Sequence, residues 1–284
     1  MVTTDGFTVS PLEFPGGNIG SLAIHGTVND LAVAGARPVA MTVGCILEEG
    51  LAVAQLTRIL VAMAEAAREA DVRVIAGDTK VVAKGEGGGL YFTTTGFGVP
   101  TPGPDLAMTR IQPDDRIVVS GPLGDHGTTV LLAREGFGLH GDVHSDSASL
   151  IPVTQALMAL PGLRFMRDPT RGGLATVAHD LAEGAGRGVR LFENRIPIRE
   201  SVQQVCDILG YDPLYLASEG RVVAVVARED APKAVEIMRS HCLTEAAEIG
   251  RIEEQEGGGV VLETGIGGER RVEPLEEDPL PRIC

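Results

Sequence analysis

Four aspartates stand where a carboxylate is costly to keep. Asp5 closes Thr3-Thr4-Asp5 in a β-branched run. Asp30 follows Asn29 inside the otherwise apolar stretch 19–35. Asp78 follows Gly77 where a strand pattern ends, and Asp168 precedes a glycine-rich helix start. A buried carboxylate without a partner is expensive. Each of the four, taken alone, also fits an N-cap or a paired surface charge. Taken together, each beside small or hydroxylated residues, they suggest a divided Mg²⁺ site, because magnesium uses few carboxylates and fills its shell with water and phosphate oxygens. Lys80 lies two residues after Asp78, on the same side of an extended segment, and can steady a transferring phosphoryl group. Glycine-rich turns at 121–127 and 172–173 can bring backbone N–H groups close to phosphates. Glu219, in Ser218-Glu219-Gly220-Arg221, is a candidate base before a strand or an exposed turn residue.

The second chemical feature is the chain's last residue. Cys284 ends an acidic stretch broken by Pro274, Pro279 and Pro281, in which no helical or strand period is visible. Such a segment reads as a flexible tail from residue 269 onward. Its fifteen residues reach roughly 50 Å when extended. Glu276, Glu277, Asp278 and the terminal carboxylate should suppress the thiolate there, with only Arg282 opposing them.

Other patterns lack the right context. Gly136-Phe137-Gly138-Leu139-His140-Gly141 matches G-x-G-x-x-G but follows a helix pattern, not a strand. No phosphate-loop motif of the G-x-x-x-x-G-K-[ST] type occurs. His140 and His144 are four apart beside Asp142 and Asp146, but their glycine-rich surroundings read as a solvated loop. Cys45, Cys206 and Cys242 form no C-x-x-C pair and read as reduced core or near-surface residues.

The composition narrows the function classes. A net charge of −15 excludes a general affinity for nucleic acid, which needs a basic surface. An anionic small molecule must then be held by a local device such as metal ions, a lysine or backbone N–H groups. No signal peptide and no apolar run of spanning length is present, so the expectation is a soluble cytoplasmic protein without membrane contact.

The elements that position these residues follow from periodicity. At 284 residues and 44% hydrophobic, the chain suits two domains. Strands are predicted over 2–9, 41–47, 72–75 and 90–99, with helices over 19–35 and 51–70. This is mixed α/β with a hairpin at its end. Pro100 to Pro104 is the best linker. A second α/β unit follows, with strands at 116–120, 189–192, 222–227 and near 249 and 260. Its helices are predicted at 128–135, 147–160, from Asp168 through Glu183, and at 201–209 and 231–240. The fold class is therefore α/β with mixed sheets. The division is 1–107 for nucleotide binding and dimerisation, 108–268 for a second α/β domain, and 269–284 for the tail.

With these residues lined up, the chain resembles the HypE family of hydrogenase maturation proteins, in the superfamily of aminoimidazole ribonucleotide synthetase and selenophosphate synthetase. The resemblance runs nearly end to end. It is carried by Thr3-Thr4-Asp5, Phe14-Pro15-Gly16-Gly17-Asn18-Ile19-Gly20, Gly26-Thr27-Val28-Asn29-Asp30-Leu31 and Gly77-Asp78-Thr79-Lys80-Val81. Ser120-Gly121 with Gly124-Asp125-His126-Gly127 and Asp168-Pro169-Thr170-Arg171-Gly172-Gly173 add to it, and the terminal Pro281-Arg282-Ile283-Cys284 is the most specific stretch.

The resemblance implies a homodimer whose N-terminal domains form a shared β-barrel, with ATP between domains. It implies that Cys284 receives a carbamoyl group from the carbamoyltransferase HypF. ATP then drives dehydration of that group to a thiocyanate, and the cyanide passes to iron held by HypC and HypD for a [NiFe] hydrogenase. Under this resemblance Asp5, Asp30 and Asp168 hold metal and phosphate, and Asn18, Gly77, Asp78 and Thr79 seat the nucleotide. Lys80 stabilises the transferring phosphoryl group, Glu219 takes the proton from nitrogen, and Cys284 carries the substrate. The family has a further glycine-rich segment before Thr3-Thr4-Asp5, so a shortened form is expected. Two rival readings stay open: a synthetase of the same superfamily that phosphorylates a free metabolite, and a non-enzymatic thiol carrier.

Overall fold

The computed structural model describes residues 1–134, 142–276, 280 and 282–284. The G-x-G-x-x-G match and His140 lie outside the described residues, as do Glu277, Asp278 and Pro281.

In the first unit, β1 (Val2–Phe7) leads through two short strands, β2 (Glu13–Phe14) and β3 (Gly17–Asn18), into α1 (Ile19–Val33). Then come β4 (Ala36–Glu48), α2 (Val53–Glu69), β5 (Arg73–Val82) and β6 (Leu90–Pro100). Asn18 starts α1 as a capping box: its side-chain oxygen accepts from the N–H groups of Gly20 and Ser21, and the Ser21 hydroxyl answers back to the cap backbone. Gly35, with φ of 78°, takes the left-handed turn that lets the chain leave the helix. Helix α1 is buried on nearly every side. A helix apolar all round sits in a core rather than on a surface. It packs on α2, β1 and β6 on one flank and meets elements of the second unit on the other.

The four-stranded sheet runs β1-β6-β4-β5. The expected hairpin of β5 with β6 does not form. Strand β6 inserts between β1 and β4, antiparallel to both, and β5 lies parallel to β4 on the far side. Burial explains the order. Leu90, Phe92 and Thr94 of β6 are buried and need neighbours on both sides, whereas β5 is exposed along almost its whole length and can only be an edge.

The second unit contains β7 (Arg116–Val119), α3 (Asp125–Ala133), α4 (Ile151–Leu157), β8 (Leu163–Arg167), α5 (Gly173–Ala185), β9 (Arg187–Phe192) and α6 (Glu200–Leu209). It continues with β10 (Val223–Val226), α7 (Ala231–Ser240), β11 (Ala247–Glu256), β12 (Val260–Glu263) and β13 (Glu269–Val272). Its sheet runs β13-β12-β9-β11-β7-β10-β8, antiparallel except for β12 with β9. The tail therefore does not begin at residue 269. Glu269–Val272 pair with β12 across a tight turn, and Val272 is buried. Helix α4 is also shorter than 147–160. Residues 147–150 lie outside the helix, where Asn29 of α1 binds their backbone, accepting from Leu150 N–H and donating to Ala148 C=O.

The chain's end is seated as well. Leu280 and Ile283 are buried in the same core as Phe7, Val9 and Phe14. Thr8 N–H donates to Cys284 C=O at 2.8 Å, and Ser10 N–H donates to Arg282 C=O at 3.2 Å. Two apolar anchors and a short backbone ladder outweigh the acidic character that made the segment look mobile. No helix among the described residues is long and apolar enough to cross a membrane.

The close approach of α1 to α2 depends on Gly20, where a Cβ would lie 2.3 Å from the Ile59 carbonyl oxygen. Gly20→Ala should therefore destabilise the fold by about 1–3 kcal/mol through overpacking against backbone. Thermal unfolding would show a lower Tm, and an unchanged Tm would mean that the helices can part without cost.

Candidate active site

The two units meet around a cavity of about 390 Å³. Each wall follows from local structure. Strand β1 ends beside it and supplies Asp5. One turn of α1 supplies Gly26 and Asp30, which face the same side at i and i+4. Gly26 is small because Phe7 of β1 presses on it: a Cβ there would meet the Phe7 ring at 2.8 Å. The turn between β8 and α5 supplies Asp168, Thr170 and Arg171. Glu219 enters from the segment before β10, and Arg282, Ile283 and Cys284 form the last wall.

The carboxylates are held in their least comfortable state. Asp168 is buried, and burial, reinforced by the charge of Asp30, pushes its pKa up to about 7. Burial also raises Asp30, although the Thr3 hydroxyl donates to its Oδ2 at 2.8 Å. Asp5 is raised by partial burial, with Asp30 adding to it. Glu219 is raised well above the usual range, first by burial and then by Asp168. Its Oε1 is buried without a hydrogen-bond partner. A buried acceptor left unsatisfied costs about 1–3 kcal/mol, so the pocket suits a ligand that brings positive charge or protons.

One chain does not bring every expected residue here. Gly77, Asp78, Thr79 and Lys80 lie on the exposed edge strand β5, and none of them lines the cavity. Lys80 Nζ instead stands 2.8 Å from Asp78 Oδ2 in a solvated pair. Asp5 pairs with Thr94, Thr94 with Val43, and Val43 with Gly77, so Asp5 and Gly77 share one row across the sheet. Three strand spacings, roughly 14 Å, separate them. Asn18 also stands outside, its side-chain oxygen committed to the α1 cap. Asp5, Asp30 and Asp168 do all line the cavity, but among the described residues no three His, Cys, Asp or Glu side chains converge into a ready metal cage. The turn at 121–127 does not line the cavity. Gly173 in the other turn is pressed against the carbonyls of Leu214 and Leu216, so its left-handed backbone serves packing.

Comparison with known proteins decides the family. Residues 1–100 match the AIR synthase related protein N-terminal domain, and residues 112–263 match its C-terminal domain. The carbamoyl dehydratase HypE of Azotobacter vinelandii is 50% identical over 286 residues, covering 100% of this chain and 84% of that protein. The chain belongs to the HypE family. A crystal structure of the hydrogenase maturation protein HypE in complex with ATP is similar at a TM-score of 0.94 and 43% identity, covering 100% of this chain and 86% of that one. A chain of a HypE–HypF complex is similar at a TM-score of 0.92 and 42% identity, covering 96% of this chain and 89% of that one. The two-domain mixed α/β architecture is thus that of the HypE structures.

Several residues of this HypE-family site escape sequence reasoning. Asn29 is buried on α1 and donates to Ala148 C=O and Glu219 C=O while accepting from Leu150 N–H. It ties the helix that carries Asp30 to the backbone that carries Glu219. A polar residue next to Asp30 in an apolar helix was its only signal. The Asp146 side chain is buried, and its Oδ1 accepts from Glu219 N–H at 3.1 Å. The sequence placed Asp146 in a solvated loop beside His144, with nothing to link it to Glu219. His126, fully buried at the start of α3, reaches the tail. Of the other cysteines, Cys206 is buried, Cys45 half-buried and Cys242 exposed, and none is in a disulfide.

The raised pKa of Asp168 has a consequence for stability. The folded state holds this proton more tightly than the unfolded chain, so folding is favoured below about pH 4 and loses that advantage as the pH rises through about 7. The loss is at most roughly 4 kcal/mol. In the ligand-free protein with chelator, Asp168→Asn should raise the Tm relative to wild type. The gain should grow between pH 4 and pH 7 and level off above. A gain independent of pH would show that Asp168 is not held protonated.

Proposed function

We propose that this chain is an ATP-dependent carbamoyl dehydratase that acts on its own C-terminal cysteine in [NiFe] hydrogenase maturation. The observation that carries the reading is that Cys284 lines the same cavity as Asp5, Asp30, Asp168 and Glu219. A thiol at a chain terminus has no structural reason to be delivered to four carboxylates. A carrier that presents a bound group to catalytic machinery does.

The chemistry accounts for the residues. A carbamoyl group on sulfur, S–C(=O)–NH₂, has a poor leaving group in its oxygen. Transfer of the γ-phosphoryl of ATP to that oxygen, with loss of one N–H proton, gives S–C(–O–phosphate)=NH. Removal of the second N–H proton expels phosphate and leaves S–C≡N. Glu219 suits that proton, because burial makes its carboxylate a stronger base than an exposed one. Asp5, Asp30 and Asp168, which all line the cavity, would hold Mg²⁺, and the ion would neutralise charge on the nucleotide phosphates.

The remaining assignments follow from the edge strand. Gly77, Asp78 and Thr79 seat the nucleotide, Asn18 contributes from the α1 start, and Lys80 stabilises the transferring phosphoryl group. For this, β5 of one subunit lies against β1 of its partner in a cytoplasmic homodimer. Val74, Ile75 and Val81 on β5 are exposed, as expected of a strand awaiting a neighbour. HypF supplies the carbamoyl group, in line with the complex formed by the relative, and HypC and HypD receive the cyanide.

Mass spectrometry of the C-terminal peptide tests the reading. Incubation with the carbamoyltransferase should add one carbamoyl group to Cys284, and ATP should then remove one water. Cys284→Ala should abolish product. Glu219→Gln should keep ATP binding and the carbamoyl adduct but slow dehydration by about 10²-fold or more. ATP turnover by Cys284→Ala at the wild-type rate would instead identify a synthetase acting on a free metabolite. No carbamoyl-dependent ATP hydrolysis in wild type would leave a thiol carrier only.

A further inference from the structure

We propose that His126 is the positioning residue that latches the C-terminal tail and so sets where the Cys284 thiol stands. The inference rests on the reading of Cys284 as substrate carrier only for its catalytic consequence. The latch itself stands on geometry. His126 Nε2 lies 2.8 Å from the carbonyl oxygen of Ile283, the residue bonded to Cys284. The imidazole is fully buried, and its edge packs on Phe14 with ring centroids 5.3 Å apart and planes at 87°. Ser145 Oγ lies 2.8 Å from Nδ1. A carbonyl only accepts, so Nε2 carries the proton and Nδ1 accepts from the Ser145 hydroxyl. Burial lowers the pKa of the ring and keeps it neutral, in keeping with that tautomer.

The Thr8 and Ser10 N–H groups, the Thr8 hydroxyl and the Arg134 guanidinium also donate to tail carbonyls, and the Arg282 side chain donates back to Thr8 C=O, all at part-buried or exposed positions. The bond from His126 is buried, and tail departure would leave its N–H unsatisfied in a dry site. The same piece of chain that fixes the ring also fixes the candidate base. Asp146, next to Ser145, accepts from Glu219 N–H, and Ser147 Oγ meets His25 Nδ1 at 2.9 Å. Gly220 packs so tightly on this segment that a Cβ would lie 1.8 Å from the Asp146 carbonyl oxygen. The seat of the thiol and the seat of Glu219 therefore share one rigid support, residues 145–147.

The test is the rate at which iodoacetamide alkylates Cys284 in the full chain, read by peptide mass spectrometry. Exposed Cys242 in the same molecule serves as internal control. His126→Phe keeps the ring volume and removes the donor. It should raise the Cys284 rate about tenfold, the effect of roughly 1.4 kcal/mol on the docked population, and leave Cys242 unchanged. His126→Gln, which can place an amide N–H near the lost Nε2–H, should restore slow alkylation. Ser145→Ala should raise the rate several-fold by freeing the tautomer, and decides the matter if the His126 variants do not fold. Equal Cys284 rates in wild type and in the variants would overturn the latch, as would a parallel rise at Cys242. In carbamoyl-loaded protein, His126→Phe should slow dehydration without changing the KM for ATP. Full turnover by Cys284→Ala would remove the carrier reading, yet the alkylation rates would still decide the latch.

Discussion

One buried amide holds the two halves of the molecule in register. Asn29 uses both of its N–H donors and its carbonyl oxygen on backbone groups of the second unit, at Ala148, Glu219 and Leu150. The neighbouring residue, Asp30, projects from the same turn of helix into the cavity. The position of Asp30 relative to Glu219 is therefore set by hydrogen bonds to main chain, which cannot slide past one another as apolar surfaces can. Any substitution that leaves those three backbone groups unsatisfied loosens the carboxylate wall as well as the seam.

The cavity spends stability on function. Four carboxylates converge where burial raises every one of them and neighbouring carboxylates add to this at Asp5, Asp168 and Glu219, and Glu219 keeps an unpartnered oxygen. No fold needs this arrangement for its own sake. The surrounding core absorbs the cost through α1, buried on nearly every side, and through the tight contacts that glycine permits at positions 20, 26 and 220. The tail adds to this core at Leu280 and Ile283, so the segment that carries the thiol is also part of what closes the cavity.

The isolated lysine follows from strand order. An edge strand exposed on nearly every residue cannot reach a cavity at the opposite edge of its own sheet. The residues of the proposed site are then divided between the two edges. The row shared by Asp5, Thr94, Val43 and Gly77 gives those edges matching heights.

Much was legible in the sequence by itself. Local rules reached α1, α2 and the strands β4, β6, β7, β9 and β10. The cost of burying charge singled out Asp5, Asp30 and Asp168 but also Asp78, which is exposed on β5, and the terminal motif singled out Cys284. These depend on neighbours along the chain, which a sequence displays. Only tertiary structure decided what depends on neighbours through space. The strand order put β6 between β1 and β4 and stranded Lys80 on an edge. Apolar anchoring and a buried histidine bound a tail whose composition spoke for mobility. Asn29, His126 and Asp146 acquired their roles from contacts more than seventy residues away in the chain. No local pattern encodes such contacts, because their energy comes from groups that meet only once the chain is folded.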